Sequence, residues 1–366
     1  MYAYACCEDF VLLYPVYAVL FARTGLSGAQ ISSLFVLWSA TTILLEVPSG
    51  LWADRFSRRR LVVWSPLVVA AGFATWTFAP SYPAFAAGFV LWGAGVAMRS
   101  GALEALVYEE MARLGAAGRY TRLVGRAEAV RTTAEMAATG AAALVLAAGG
   151  HTAVGVASVV VPVLGAAVGL TFPEHRTGRE PSGGGFGALL REGLGEVRRV
   201  PAVRRTVLLV AVLSGVTALD EYLPLLAEAT GVADATVPLL MLLVVAVTAV
   251  GGWLAGRGTR AAPAALAIAA ALLAGGAFAR SPAGFVPIAV AYAAFRWAIA
   301  AAEARLQDRL SDRTRATVTS LSGLGAELVG IAAFAGYALA SRWAEPWLVF
   351  CLAAPVYLGV AAAMRR

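Results

Sequence analysis

The residues able to do chemistry in this chain are charges set inside apolar runs. Glu8 and Asp9 fall in the first run, Glu46 in the second, and Arg99 and Glu104 in the fourth. Arg131 and Glu135 fall in the fifth, Asp220 and Glu221 in the seventh, Arg296 and Glu303 in the tenth, and Glu327 in the eleventh. A charge at such depth in lipid is costly unless it is paired or faces a wet cavity, so each one marks a candidate functional position. Acids outnumber arginines in this set. Burial disfavours a bare carboxylate charge, so such an acid can hold a proton near neutral pH and release it on rehydration. Asp220, Glu221, Glu46 and Glu104 are the first candidates for proton coupling, while Glu303 lies closer to a span end.

The arginines divide by spacing. Arg131 and Glu135 are four residues apart on one helix face and are expected to form a structural pair. Arg99 and Glu104 are five apart and are better placed to reach other helices. Arg296, near the middle of its run, either pairs with Asp220 or Glu221 or reads an anionic group of a ligand. Aromatic residues crowd the first acids: Phe10, Tyr14, Tyr17 and Phe21. Tyr14-Pro15 predicts a local bend with backbone groups freed toward a cavity. An aromatic and acidic pocket suits an amphiphilic cation, although ordinary packing accounts equally well for any one ring.

These positions need a lipid-embedded scaffold. Of 366 residues, 60% are hydrophobic and only 14% charged, against about 25% charged in soluble domains. The apolar residues lie in blocks long enough to cross a bilayer, which predicts an all-α polytopic protein. Twelve spans are expected, at 2–22, 29–51, 61–78, 84–111, 123–148, 153–172, 203–229, 237–255, 262–278, 284–306, 316–340 and 347–363. All 29 basic residues are arginine, a bias that fits a genome rich in G and C. With both termini inside, the inner segments hold 23 of them and the outer turns only Arg23, Arg280 and Arg342. That asymmetry sets the orientation and also accounts for the net charge of +7 without any nucleic-acid partner. The location expected is a bacterial-type cytoplasmic membrane with both termini cytoplasmic. The N-terminus does not read as a signal peptide, since it lacks a basic start and carries Glu8 and Asp9. The three cysteines and two histidines have no metal or disulfide spacing.

The chain repeats itself. Thr24-Gly25-Leu26 matches Thr230-Gly231-Val232, and Gly50-Leu-Trp-Ala-Asp-Arg-Phe-Ser-Arg58 is echoed by Gly252-Trp-Leu-Ala-Gly-Arg-Gly-Thr-Arg260. Ala-Leu-Glu104-Ala is echoed by Ala-Ala-Glu303-Ala, and Ala134-Glu135 by Ala326-Glu327. Four matches in one order predict a duplicated six-helix unit. The domains expected are therefore an N-terminal bundle over 1–172, a cytoplasmic linker over 173–202 and a C-terminal bundle over 203–366. The linker carries Ser182-Gly-Gly-Gly185, then Phe186, Leu189, Leu190, Leu194 and Val197 at helical spacing, which predicts a short amphipathic helix on the inner surface.

The stretch from Gly50 to Arg60 is expected to be a basic inner turn, and it carries a family resemblance. Gly50, Asp54, Arg55, Arg58 and Arg59 match the pattern Gly-x-x-x-Asp-(Arg/Lys)-x-Gly-(Arg/Lys)-(Arg/Lys) of the major facilitator superfamily, with Ser57 where the family usually has Gly. Over its whole length the chain resembles that superfamily: twelve spans, a 6+6 repeat and this loop. The resemblance implies two pseudo-symmetric six-helix bundles working by alternating access. It implies a conformational gate at Gly50, Asp54, Arg55 and Arg58, with Asp54 at the start of the eleventh span and Arg58 paired to it. Spans one, four, seven and ten would surround the cavity, which makes Glu8, Asp9, Phe10, Tyr14, Tyr17, Arg99, Arg296 and Glu303 the substrate-cavity candidates. The proline-containing fifth-span pattern of drug/proton antiporters is absent, since that span reads Ala134-Glu-Met-Ala-Ala-Thr-Gly140.

The function expected is secondary active transport, with proton-coupled export of a small organic, cationic or amphiphilic molecule. The alternative is proton-coupled import of a small anionic metabolite through Arg99 and Arg296. A non-transporting receptor ranks lower, because the loops leave no room for a signalling domain. An enzyme is not expected, since no nucleophile and base set, metal motif or nucleotide loop is present. The expected energy source is a proton gradient with no cofactor. The expected partners are a small-molecule substrate and the bilayer, with the chain acting as a monomer.

Overall fold

The computed structural model describes residues 1–174, 194–195, 197–254, 261–310 and 315–365, and of 46–55, 315–316 and 365 only the backbone. Most of the amphipathic helix expected from Phe186 therefore lies outside the described residues, as do the side chains of Glu46, Gly50, Asp54 and Arg55. The described residues form helices and no strands. In chain order these are α1 (Tyr2–Asp9), α2 (Tyr17–Arg23), α3 (Gly28–Arg55), α4 (Arg58–Phe78), α5 (Tyr82–Arg99), α6 (Ala102–Arg113) and α7 (Tyr120–Gly169). There follow α8 (Pro201–Thr217), α9 (Leu223–Glu228), α10 (Val237–Trp253), α11 (Ala262–Phe278), α12 (Phe285–Arg309), α13 (Arg315–Ala340) and α14 (Pro346–Arg365). Two compact units result: Met1–Pro181 with Ala233–Leu239, and Ser182–Val232 with Leu240–Arg366.

Among the described residues, nine helical stretches are long and apolar enough to cross a membrane, and α11 is a shorter apolar helix. Nine differs from the expected twelve for local reasons. The fifth and sixth spans run together in α7, interrupted only at Gly150, whose φ of 65° and ψ of −167° put a kink inside it. The first span is split into α1 and α2, each too short to cross alone. Residues 10–16 between them hold Pro15, which lacks an N–H and biases Tyr14 away from helix.

Other expected spans are broken too. The fourth divides into α5 and α6 at Ser100-Gly101, where Gly101 takes a φ of +73° that only glycine adopts without strain. The seventh divides into α8, a 3₁₀ turn over Ala218–Tyr222 and α9, with Pro224 in the first turn of α9. Aligning Thr24-Gly25 on Thr230-Gly231 sets the break at 10–16 opposite residues 216–222, so both halves interrupt their first helix at one place. The basic stretch from Gly50 is, by contrast, more helical than expected. α3 runs to Arg55 and α4 starts at Arg58, leaving only Phe56 and Ser57 as the turn. Ser57 caps α4, its Oγ accepting from the Arg60 N–H at 3.1 Å, a bond that glycine could not make.

The first unit is held by close helix packing and by rings. Trp76 of α4 donates its indole N–H to the Phe85 carbonyl of α5 at 3.0 Å. A Cβ on Gly88 would lie 1.9 Å from that indole nitrogen, so the absence of a side chain is what lets the two helices meet. Tyr17, Phe21, Phe35, Trp76 and Phe89 interlock there, at about 0.5–1.5 kcal/mol per ring pair beyond their burial. In lipid, such packing replaces the hydrophobic drive that brings helices together in water.

The break in the first span leaves backbone groups that lipid cannot satisfy. Ser158, fully buried in α7, supplies one partner: its Oγ accepts from the Leu13 N–H at 3.0 Å and donates to the Val154 carbonyl at 2.8 Å. We expect Ser158→Ala to lower stability by about 1–3 kcal/mol, the cost of an orphaned buried donor. Thermal unfolding of the purified protein in detergent checks this, with the exposed Thr133→Ala as control. Equal melting of both variants would show that Ser158 is not what satisfies the break.

Candidate functional site

In the first unit, the end of α1 gathers charges from three helices. Glu8 stands in its last turn and is the shared acid. Its Oε1 lies 2.5 Å from Arg99 Nε at the end of α5, an ion contact that leaves this buried oxygen without a hydrogen-bond donor. Its Oε2 accepts from Arg131 Nη2 at 2.9 Å and Nε at 3.2 Å, from the first half of α7. Arg131 also donates to Glu128 at 3.2 Å. The Glu8 side chain is 12% exposed and those of Arg99 and Arg131 about a quarter exposed, so the cluster is screened only in part and stands well above a surface pair in strength.

Arg131 therefore does not form the expected pair with Glu135. Helical side chains lean toward the N-terminus, which carries the guanidinium back toward Glu128 and across to α1, away from a residue one turn ahead. Arg99 reaches another helix, in line with its five-residue offset from Glu104.

Beside the cluster lies a small cavity with about 70 Å³ open to water-sized molecules, lined among others by Tyr4, Glu8, Asp9, Tyr14, Trp92 and Arg99. Tyr4 is anchored by donating to the Val62 carbonyl at 2.8 Å. Tyr14 stacks on Trp92 with centroids 5.3 Å apart and planes 15° apart, and Trp92 stacks on Trp38 at 5.1 Å and 26°. Of the first-span candidates, then, Glu8, Asp9 and Tyr14 come together with Arg99. Tyr17 does not: it is 3% exposed, inside the ring cluster, because it lies past the break on α2. Phe10 follows the last residue of α1 as its C-cap and does not line this cavity.

The other candidates are not among the residues that line it. Glu104 is exposed in the first turn of α6, where an acid complements the helix dipole. In the second unit Asp220 is exposed and Glu221 half-buried, both on the 3₁₀ turn. Nearby, the Tyr357 hydroxyl donates to the Val216 carbonyl at 3.2 Å. Arg296 and Glu303 on α12 are exposed, and among the described residues no acid forms an ion pair with Arg296. No group of three His, Cys, Asp or Glu able to hold a metal occurs among the described residues.

The basic turn also has partners that its sequence did not announce. Arg58 pairs with Glu109 near the end of α6. Arg58 opens α4 and its guanidinium reaches α6; the side chain of Asp54, the partner expected for it, lies outside the described residues. Glu174 occupies the start of α4, accepting from Ser57 Oγ at 2.5 Å and the Arg58 N–H at 2.8 Å, and Arg59 donates to the Leu170 carbonyl at 2.5 Å. A carboxylate at a helix N-terminus is favoured by both the free N–H groups and the dipole. The only signal for Glu174 was its place just after an apolar run, behind Pro173.

The sequence profile of the family described as Major Facilitator Superfamily matches residues 5–335. No curated protein matches the chain. Among solved structures, the nucleoside transporter NupG is similar with a TM-score of 0.74 at 14% identity, covering 100% of this chain and 96% of that one. A bacterial homologue of the human lysosomal transporter Spinster gives 0.73 at 15%, covering 100% and 92%. An auto-inhibited POT-family peptide transporter gives 0.74 at 12%, covering 100% and 96%. At these identities the likeness is one of fold.

The shared acid generates a stability prediction. Glu8→Gln keeps the shape but leaves two guanidiniums facing each other. We expect a loss on the order of 2 kcal/mol, below the ~3–5 of a fully buried pair because the arginines keep some solvent. Adding Arg99→Gln should recover part of it. Unfolding midpoints of the two variants check this, and a double variant no more stable than Glu8→Gln would contradict the shared-carboxylate account.

Proposed function

The chain belongs to the Major Facilitator Superfamily, and on that premise we propose that it is a secondary active transporter, working by alternating access, that couples export of a small organic molecule to a proton gradient. The family is one of transporters rather than enzymes, and its members are multi-pass membrane proteins. The observation that carries the reading is the charged cluster beside the first unit's cavity, of which Glu8, Asp9 and Arg99 line the wall. A half-buried set of Glu8, Asp9, Arg99 and Arg131 is expensive to keep in a membrane protein, and a transport pathway is the usual reason for it. Acids exceed arginines among the lining residues, which favours a neutral or cationic cargo. The arginine asymmetry supports a cytoplasmic membrane with both termini inside.

Proton coupling is assigned to Asp220 and Glu221. They stand on a 3₁₀ turn inside an apolar span, where a small rewinding would change their hydration. The break opposite theirs in the first half adjoins the substrate cavity, so the repeat gives each half an interrupted first helix for a different task. Arg99 on the cavity wall favours one second reading, proton-driven import of a small anion.

Reconstitution into liposomes with an imposed pH gradient separates the two. Accumulation of small organic cations inside acid-loaded vesicles is expected for export, and accumulation of carboxylates down the proton gradient would favour import. Asp220→Asn and Glu221→Gln should each remove pH-driven accumulation while leaving substrate exchange in place. Full pH-driven transport by both variants would sink the coupling assignment.

A further inference from the structure

The two acids at the end of α1 are not equivalent. Three carboxylates, of Glu8, Asp9 and Glu128, meet two guanidiniums, of Arg99 and Arg131. Glu8 takes both arginines and Glu128 shares one of them. Among the described residues no hydrogen bond or ion pair engages the Asp9 carboxylate, yet Asp9 lines the cavity. The unbalanced negative charge of the cluster is therefore that of Asp9. Asp9 is also the last residue of α1, where the helix dipole adds negative potential, and Glu135, one turn past Arg131 and half-buried, has the same sign.

Aromatic side chains share the cavity with this charge. Tyr14 and Trp92 line the same cavity, both half-buried, with Trp38 stacked behind Trp92. Ring faces attract a cation, the more so when it is desolvated. A metal ion would need several further ligands, and no group of three His, Cys, Asp or Glu able to hold one occurs among the described residues. One free carboxylate beside a stack of rings fits an ammonium group attached to an apolar ring.

We propose that the first unit's cavity recognises a small aromatic amine, its ammonium on Asp9 and its ring against Trp92 and Tyr14, while Glu8 is held out of recognition by Arg99 and Arg131. This rests on the reading of that cavity as the substrate site. It gives the adjacent acids separate tasks: Glu8 holds the helix ends together, and Asp9 meets the cargo.

Isothermal titration of the purified full chain with phenethylammonium tests it, with hydrocinnamate as the anionic counterpart of similar shape. Binding of the amine and not of the acid is expected. Asp9→Asn should weaken binding at least about tenfold, a factor that corresponds to one charge-assisted contact. Asp9→Glu should restore part of it, and Trp92→Leu should weaken it without changing the preference for the amine. Absence of amine binding to the wild type, equal binding by a folded Asp9→Asn, or tighter binding of hydrocinnamate would each overturn the assignment. Loss of this recognition with proton-driven transport of other solutes intact would count against the assignment alone. Asp9-dependent binding without any proton-driven flux would count against the transport reading alone.

Discussion

The Glu8 carboxylate, shared between Arg99 and Arg131, is the contact on which the first unit's organisation turns. It ties the end of α1 to the end of α5 and the first half of α7, and the ends of α1 and α5 line the cavity. A single acid serving two arginines leaves neither of these guanidiniums without a partner. In water the same arrangement would be worth little. In a membrane protein, with few water molecules to replace a lost partner, it sets where three helices meet.

That contact depends in turn on the interrupted first helix. Continuous helix through residue 22 would carry Glu8, Asp9, Tyr14 and Tyr17 on one rigid cylinder, with faces fixed by the 3.6-residue period. Ending α1 at Asp9 lets Tyr14 turn to Trp92 while Tyr17 enters the ring cluster with Trp76 and Phe89. The freed backbone finds Ser158. The break at Ala218–Tyr222 in the second half gives Asp220 and Glu221 a comparable setting, with the Tyr357 hydroxyl on the Val216 carbonyl nearby. Irregular backbone at this depth survives only where protein groups satisfy it, so Ser158 and Tyr357 belong to the construction of each break although neither carries charge.

Much of this was legible in the residues themselves. The apolar blocks, the arginine asymmetry and the Gly50–Arg59 pattern led to the class and the family, because lipid imposes length and charge rules that can be read position by position. Tyr14-Pro15 announced the first break. The pairings were not legible. Arg131 was equally well spaced for Glu128 and Glu135, and only the lean of helical side chains and the approach of α1 chose Glu128 and Glu8. Arg58 met Glu109, and Glu174 came to the start of α4 from 116 positions along the chain, a separation that no local spacing encodes.

By itself, then, the sequence determined that the chain is helical and lipid-embedded, which residues place charge within apolar runs, and where proline and glycine interrupt the helices. These follow from one-dimensional properties: hydropathy, charge and backbone restriction. The tertiary structure decided which charges neutralise one another, and which aromatic residues pack and which line the cavity. Those outcomes depend on distances between helices far apart in sequence. An ångström of approach, such as the missing Cβ of Gly88 allows against Trp76, determines which partners come within reach.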